Sequence, residues 1–172
     1  MKNKKPSLSA LFLIISLTLL SCKDLSEKSA HENQLVVHVE LKILKDDFLE
    51  LYFDDRESKV FSSKRSIRKK IKGDSSFQKV SFMLDDSAYP NRIRIDLGEN
   101  REQPAMEIKQ IALQYNKAIH VFSPQELETY FKSNIYVDFN SFVATPKIME
   151  GKYDPYLESF NLSKFINQLI LQ

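Results

Sequence analysis

From Leu35 to Ile43 the chain alternates: Leu35, Val37, Val39, Leu41 and Ile43 fall in one phase, and His38, Glu40 and Lys42 in the other. A period of two sustained over this length predicts a strand with one buried face. Lys45-Asp46-Asp47 reads as a turn, and Phe48 to Phe53 as a second strand, with Leu49, Leu51 and Phe53 opposite Phe48, Glu50 and Tyr52. Asp54-Asp55-Arg56 closes it. Ser62 to Lys72 is the most basic stretch, and its alternation predicts a strand with a basic outer face. Such a face suits either solvent or an anionic partner such as phosphate head groups or acidic glycans. Phe77 to Leu84 is a further strand, and Asp85 to Asn91 a long turn. Arg92 to Leu97 splits into inward Ile93, Ile95 and Leu97 and outward Arg92, Arg94 and Asp96, with Arg94 and Asp96 spaced to pair.

Between Met106 and Tyr115 the apolar phase slips at Lys109-Gln110, which predicts a β-bulge, because one extra residue keeps both halves facing the core. Lys117 to Phe122 predicts a strand with Ile119 and Val121 inward and His120 outward. Ser123-Pro124-Gln125-Glu126 is a capping box with proline at the first helical position, and predicts a helix from Pro124 to about Lys132. Tyr136 to Phe139 and Phe142 to Ala144 predict strands, Lys152 to Tyr156 a loop, and Ser163 to Leu171 a terminal helix or turn. About eight short strands and few helices point to a mainly β fold, an antiparallel β-sandwich of the jelly-roll type with one or two short helices.

Composition narrows the chemistry. The chain has 172 residues, a length that suits one domain. Its single cysteine excludes an intrachain disulfide and a cysteine-based zinc site. Gly73, Gly98 and Gly151 lie too far apart for a phosphate-cradling glycine loop. A net charge of +2 gives no basic footprint for nucleic acid, and none is expected as a partner. The histidines, at 31, 38 and 120, have no HExxH spacing, and no GxSxG is present. A glycan hydrolase using two carboxylates brought together by the fold stays open, though no pair is singled out by the sequence.

The N-terminus sets an expected compartment. Lys2, Lys4 and Lys5 precede an apolar run from Leu8 to Leu20, too short to span a bilayer and of the length of a secretory core. It ends in Leu19-Leu20-Ser21-Cys22, which resembles the lipobox of bacterial lipoproteins. That resemblance implies a signal peptide over residues 1–21 and a diacylglyceryl, usually also acylated (palmitate-bearing) Cys22. A flexible tether would then run to residue 34, with the β-sandwich domain over 35–172. Two or more acyl chains make such an anchor stable. Lys23, in place of the Asp that retains enteric lipoproteins in the inner membrane, implies the outer membrane of the cell envelope.

Arg94-Ile95-Asp96-Leu97-Gly98 and Met106 to Leu113 resemble consecutive strands of galactose-binding-like jelly rolls, the discoidin and carbohydrate-binding-module group. The stretch from Leu35 to Tyr156 also resembles domains of bacterial lipoproteins and of glycan-handling membrane proteins. With no Trp in the chain, a sugar platform falls to tyrosine, whose ring is apolar on its face and polar at its tip. Tyr89, Tyr153 and Tyr156 are the candidates, with Arg92 and Arg94 as donors beside Tyr89. Asp85 and Asp86, with Asp96 and Glu99, are oxygen donors suited to a structural calcium ion. The expected role is a lipid-anchored, non-catalytic binding or structural module of the cell envelope, with glycans as the candidate ligand. The alternatives are an accessory subunit docking on an envelope protein assembly and, third, a carboxylate-based glycan hydrolase.

Overall fold

The computed structural model describes residues 33–54, 60–85 and 87–172. The expected signal peptide, Cys22 and most of the expected tether lie outside the described residues, as do Asp55, Arg56 and Asp86. The fold is mainly β. β1 (Leu35–Ile43), β4 (Asp74–Met83), β6 (Met106–Tyr115), β7 (Ala118–Val121), β9 (Val137–Asn140) and β10 (Val143–Pro146) form one antiparallel sheet in the order β4-β1-β6-β10-β9, with β7 paired to the far half of β6. β2 (Asp47–Phe53), β3 (Ser66–Ile71), β5 (Ile93–Asp96), β8 (Phe131–Ser133) and β11 (Tyr156–Ser159) form the second, in the order β3-β2-β5-β11-β8. Two short helices, α1 (Pro124–Tyr130) and α2 (Ser163–Ile170), complete the sandwich.

The alternating apolar positions build its interior. Val37, Val39 and Leu41 from β1, Leu49 and Leu51 from β2, Ile95 from β5 and Ile111 and Leu113 from β6 are all fully buried in one cluster drawn from both sheets. Each such side chain contributes about 1.5–3 kcal/mol relative to leaving it in water. The bulge falls where the phase slips: Glu40 pairs with Gln110, but Leu41 pairs with Ile108, so Lys109 is the extra residue. The capping box forms in full. The Glu126 N–H donates to Ser123 Oγ, and the Ser123 N–H donates to Glu126 Oε2.

The structure corrects the pattern in three places. On β7 the inward position belongs to His120, while Ile119 and Val121 are 51% and 45% exposed. The cause is hairpin register: the short turn at Asn116-Lys117 pairs His120 with buried Leu113, which puts both on the inner face. There the imidazole lies 4.3 Å, centroid to centroid, from Phe165 of α2. The helix after the capping box ends at Tyr130, because Phe131–Ser133 leaves it to pair with Leu157–Ser159. Tyr156, expected in a loop, opens that partner strand, and among the described residues the sheets hold eleven strands rather than about eight.

Candidate functional site

The outer face of the five-stranded sheet gathers the polar phase of all five strands. Cross-strand register aligns Ser66, Tyr52, Arg94, Glu158 and Lys132 in one row, and Arg68, Glu50, Asp96 and Tyr156 in the next. Arg94 is the hub. Its Nε and Nη2 donate to the two oxygens of Asp96 at 2.6 and 2.8 Å, and Nη2 also donates to Asp154 Oδ1 at 3.0 Å. The guanidinium lies over Tyr156 at 3.8 Å and beside Tyr52 at 5.4 Å from the ring centroids, within cation–π range. The i, i+2 pair legible in the sequence is therefore a two-pronged ion pair seated between aromatic rings.

Burial pushes the Asp96 carboxyl up to about 6, with Asp154 and Glu50 adding like-charge repulsion against the pull of Arg94. To one side, Arg68 forms a forked pair with Glu99 and stacks on Phe48. To the other, Arg92 bridges Asp54 and Glu158. A shallow hollow of about 480 Å³ adjoins the Arg94 cluster, lined by Ser133, Asn134, Ile135, Tyr136, Asp154 and Tyr156. Asn134 shapes its floor: its Oδ1 accepts from the Tyr136 N–H and the Tyr156 N–H, and its Nδ2 donates to the Asp154 carbonyl.

Of the residues singled out in the sequence, Arg92, Arg94 and Tyr156 come together on this face. Tyr89 does not join them as a stacking platform. Its half-buried ring packs on the core, edge-on to Tyr115 at 6.0 Å, with the two hydroxyls 3.4 Å apart. Tyr153 turns its hydroxyl inward, where it has no hydrogen-bond partner among the described residues. Burial, with Asp47 nearby, pushes that phenol up to about 12. Asp85 forms a turn, its carbonyl accepting from the Ala88 N–H. Among the described residues no group of three or more His, Cys, Asp or Glu is placed to hold a metal ion, and Asp96 and Glu99 are engaged by arginines.

Tyr52, Tyr136 and Asp154 join the site without having been singled out. Tyr52 carries a readable signal, an aromatic residue on the polar phase of an alternating strand. Comparison with family models, curated proteins and solved structures gives no match to this chain.

Asp47 holds the neighbouring edge of the sheet. Its buried carboxylate accepts from the backbone N–H groups of Phe48, Glu99 and Asn100 and from Gln103 Nε2. Gly98 passes directly over it with φ +116°, where a Cβ would stand 2.2 Å from Asp47 Oδ2.

Proposed function

We infer that the chain is a lipid-anchored envelope protein whose β-sandwich carries a non-catalytic binding face for glycans. Its contact surface is the Arg94–Tyr156 face with the adjoining hollow. The observation that carries this reading is the company the hollow keeps: two tyrosine rings beside a carboxylate and a guanidinium. A pyranose presents C–H groups on its faces and hydroxyls around its rim. Tyr136 and Tyr156 suit the first, and Asp154, Arg94 and Ser133 suit the second. Arg94 covers one face of Tyr156, so Tyr136 offers the freer platform.

Titration of the purified protein with envelope polysaccharide fragments tests this. Removing the Tyr136 ring should cost about 1–3 kcal/mol, on the scale of exposing a large apolar side chain. That is a loss of about 5- to 150-fold in affinity. Equal affinity for wild type and Tyr136→Ala, or binding by neither, rejects the site. A second reading, an accessory subunit, draws support from exposed Ile119, Val121 and Met83 around the other sheet. Co-purification of one envelope protein, lost on Ile119→Asp, would favour it.

A further inference from the structure

The outer face of the six-stranded sheet carries a second constellation, centred on His38. Register sets His38 of β1 opposite Ser81 of β4 and Ala112 of β6, and sets Val36 opposite Gln114. His38 Nδ1 lies 2.8 Å from Ser81 Oγ, and Nε2 lies 2.8 Å from Gln114 Oε1. The far end of Gln114 is also tied, since its Nε2 donates to the Asn116 carbonyl at 2.9 Å. That bond turns the Gln114 oxygen toward the imidazole and so fixes the tautomer. Nε2 carries the proton and donates to Gln114, leaving Nδ1 as a lone pair that accepts from the Ser81 hydroxyl. Burial holds the imidazole below its ordinary range, against the pull of the Gln114 bond and with Lys79 adding to it, so the ring is neutral and able to take a proton.

These groups line a hollow of about 130 Å³ with Gln34, Val36, Met83 and Asn116. That is room for about four waters at ~30 Å³ each, the size of a short acyl group. Val36 and Met83 give it an apolar wall. The Asn116 Oδ1 is engaged by the Asn33 N–H at 2.7 Å, which leaves its side-chain NH₂ to meet a carbonyl oxygen.

We propose that Ser81 is a nucleophile toward short acyl esters, with His38 as its general base and Gln114 as the residue that positions His38. A hydroxyl within hydrogen-bond reach of a neutral imidazole, itself oriented by a third group, is the arrangement that activates serine. The Ser81 oxygen bonds the acyl carbon as its proton passes to His38 Nδ1. The bond from that carbon to the ester oxygen breaks, and the departing alcohol takes the proton. Water deprotonated at the same nitrogen then adds to the acyl carbon. This releases the acid, and the Ser81 oxygen recovers its proton.

The test follows nitrophenolate release from p-nitrophenyl acetate by the full chain. Ser81→Ala and His38→Gln should each lower the rate by about 10²-fold or more, the usual contribution of such a base. Gln114→Leu should lower it, and Gln114→Glu, which keeps an acceptor at Nε2, should restore it. A Ser81→Ala protein that melts like wild type and releases nitrophenolate within about twofold of its rate overturns the proposal. A fluorophosphonate gives a readout that needs no variant. It loses fluoride and leaves a stable phosphonyl group on an activated serine, so peptide mapping of the wild-type chain should find that group on Ser81. Its absence there overturns the proposal equally.

Discussion

Replacing Asp47 by alanine should be among the most damaging single changes in this domain. Its carboxylate accepts four hydrogen bonds in a buried position, three from backbone N–H groups of β2 and the loop after Gly98 and one from Gln103. Alanine removes every acceptor at once and leaves the donors facing an apolar methyl. A buried donor left unsatisfied costs about 1–3 kcal/mol, and bonds to a charged acceptor stand at the upper end. Loop relaxation and entering water recover part of this, so the net loss should be about 3–6 kcal/mol, comparable with the whole stability of a small domain at about 5–15 kcal/mol. At about 3–4 °C per kcal/mol for a domain of this size, the melting temperature should fall by roughly 10–20 °C. Urea denaturation with tryptophan-free tyrosine fluorescence or far-ultraviolet circular dichroism measures the change. Asp47→Asn keeps one carbonyl-type acceptor and should lose about half as much. If Asp47→Ala costs under about 1 kcal/mol, the carboxylate is not what holds the loop, and the reasoning fails.

Three further outcomes are expected. The Asp96 carboxyl lies above its ordinary 3.8, at about 6, so its contribution to stability is greatest below pH 4, declines as pH rises toward 6 and is lost above it. Relative to Asp96→Asn, wild type should lose about 1–2 kcal/mol between pH 4 and 7 by chemical denaturation, a discount for the partial exposure of the side chain; parallel curves would refute it. Tyr89→Ala should lower the melting temperature while leaving any glycan affinity unchanged, because the ring packs on the core, and a binding defect without a stability loss would contradict the placement. Cys22→Ala should release the protein from the membrane fraction, and continued partition with membranes would count against the lipid anchor.

What the sequence made legible follows from distance along the chain. Strand alternation, the bulge at Lys109, the Ser123–Glu126 cap and the Arg94–Asp96 pair are each written within about ten residues, where period and spacing speak directly. The inward turn of His120 is not, because Ile119 and Val121 are better core residues by type. Register to Leu113 and the arrival of Phe165 decide the face. β8 and β11, with three and four residues, are too short for a period to register. The site itself is a product of pairing. Tyr52 meets Arg94 only because β2 lies beside β5, and Tyr156 meets Arg94 only because β11 lies on the other side.

The position of β11 has a bearing on how the molecule is made. This strand comes after the other four of its sheet in sequence, yet it sits inside that sheet, between β5 and β8, and Phe165, Ile166 and Leu169 of α2 close the core behind it. A chain emerging from its N-terminus therefore holds β5 with one edge open, and the apolar interior uncovered, until residues 156–170 appear. The second sheet closes only once the residues of β11 are available. The strands made earlier are thus left by topology without a complete sheet, and without a closed core, until β11 and α2 arrive.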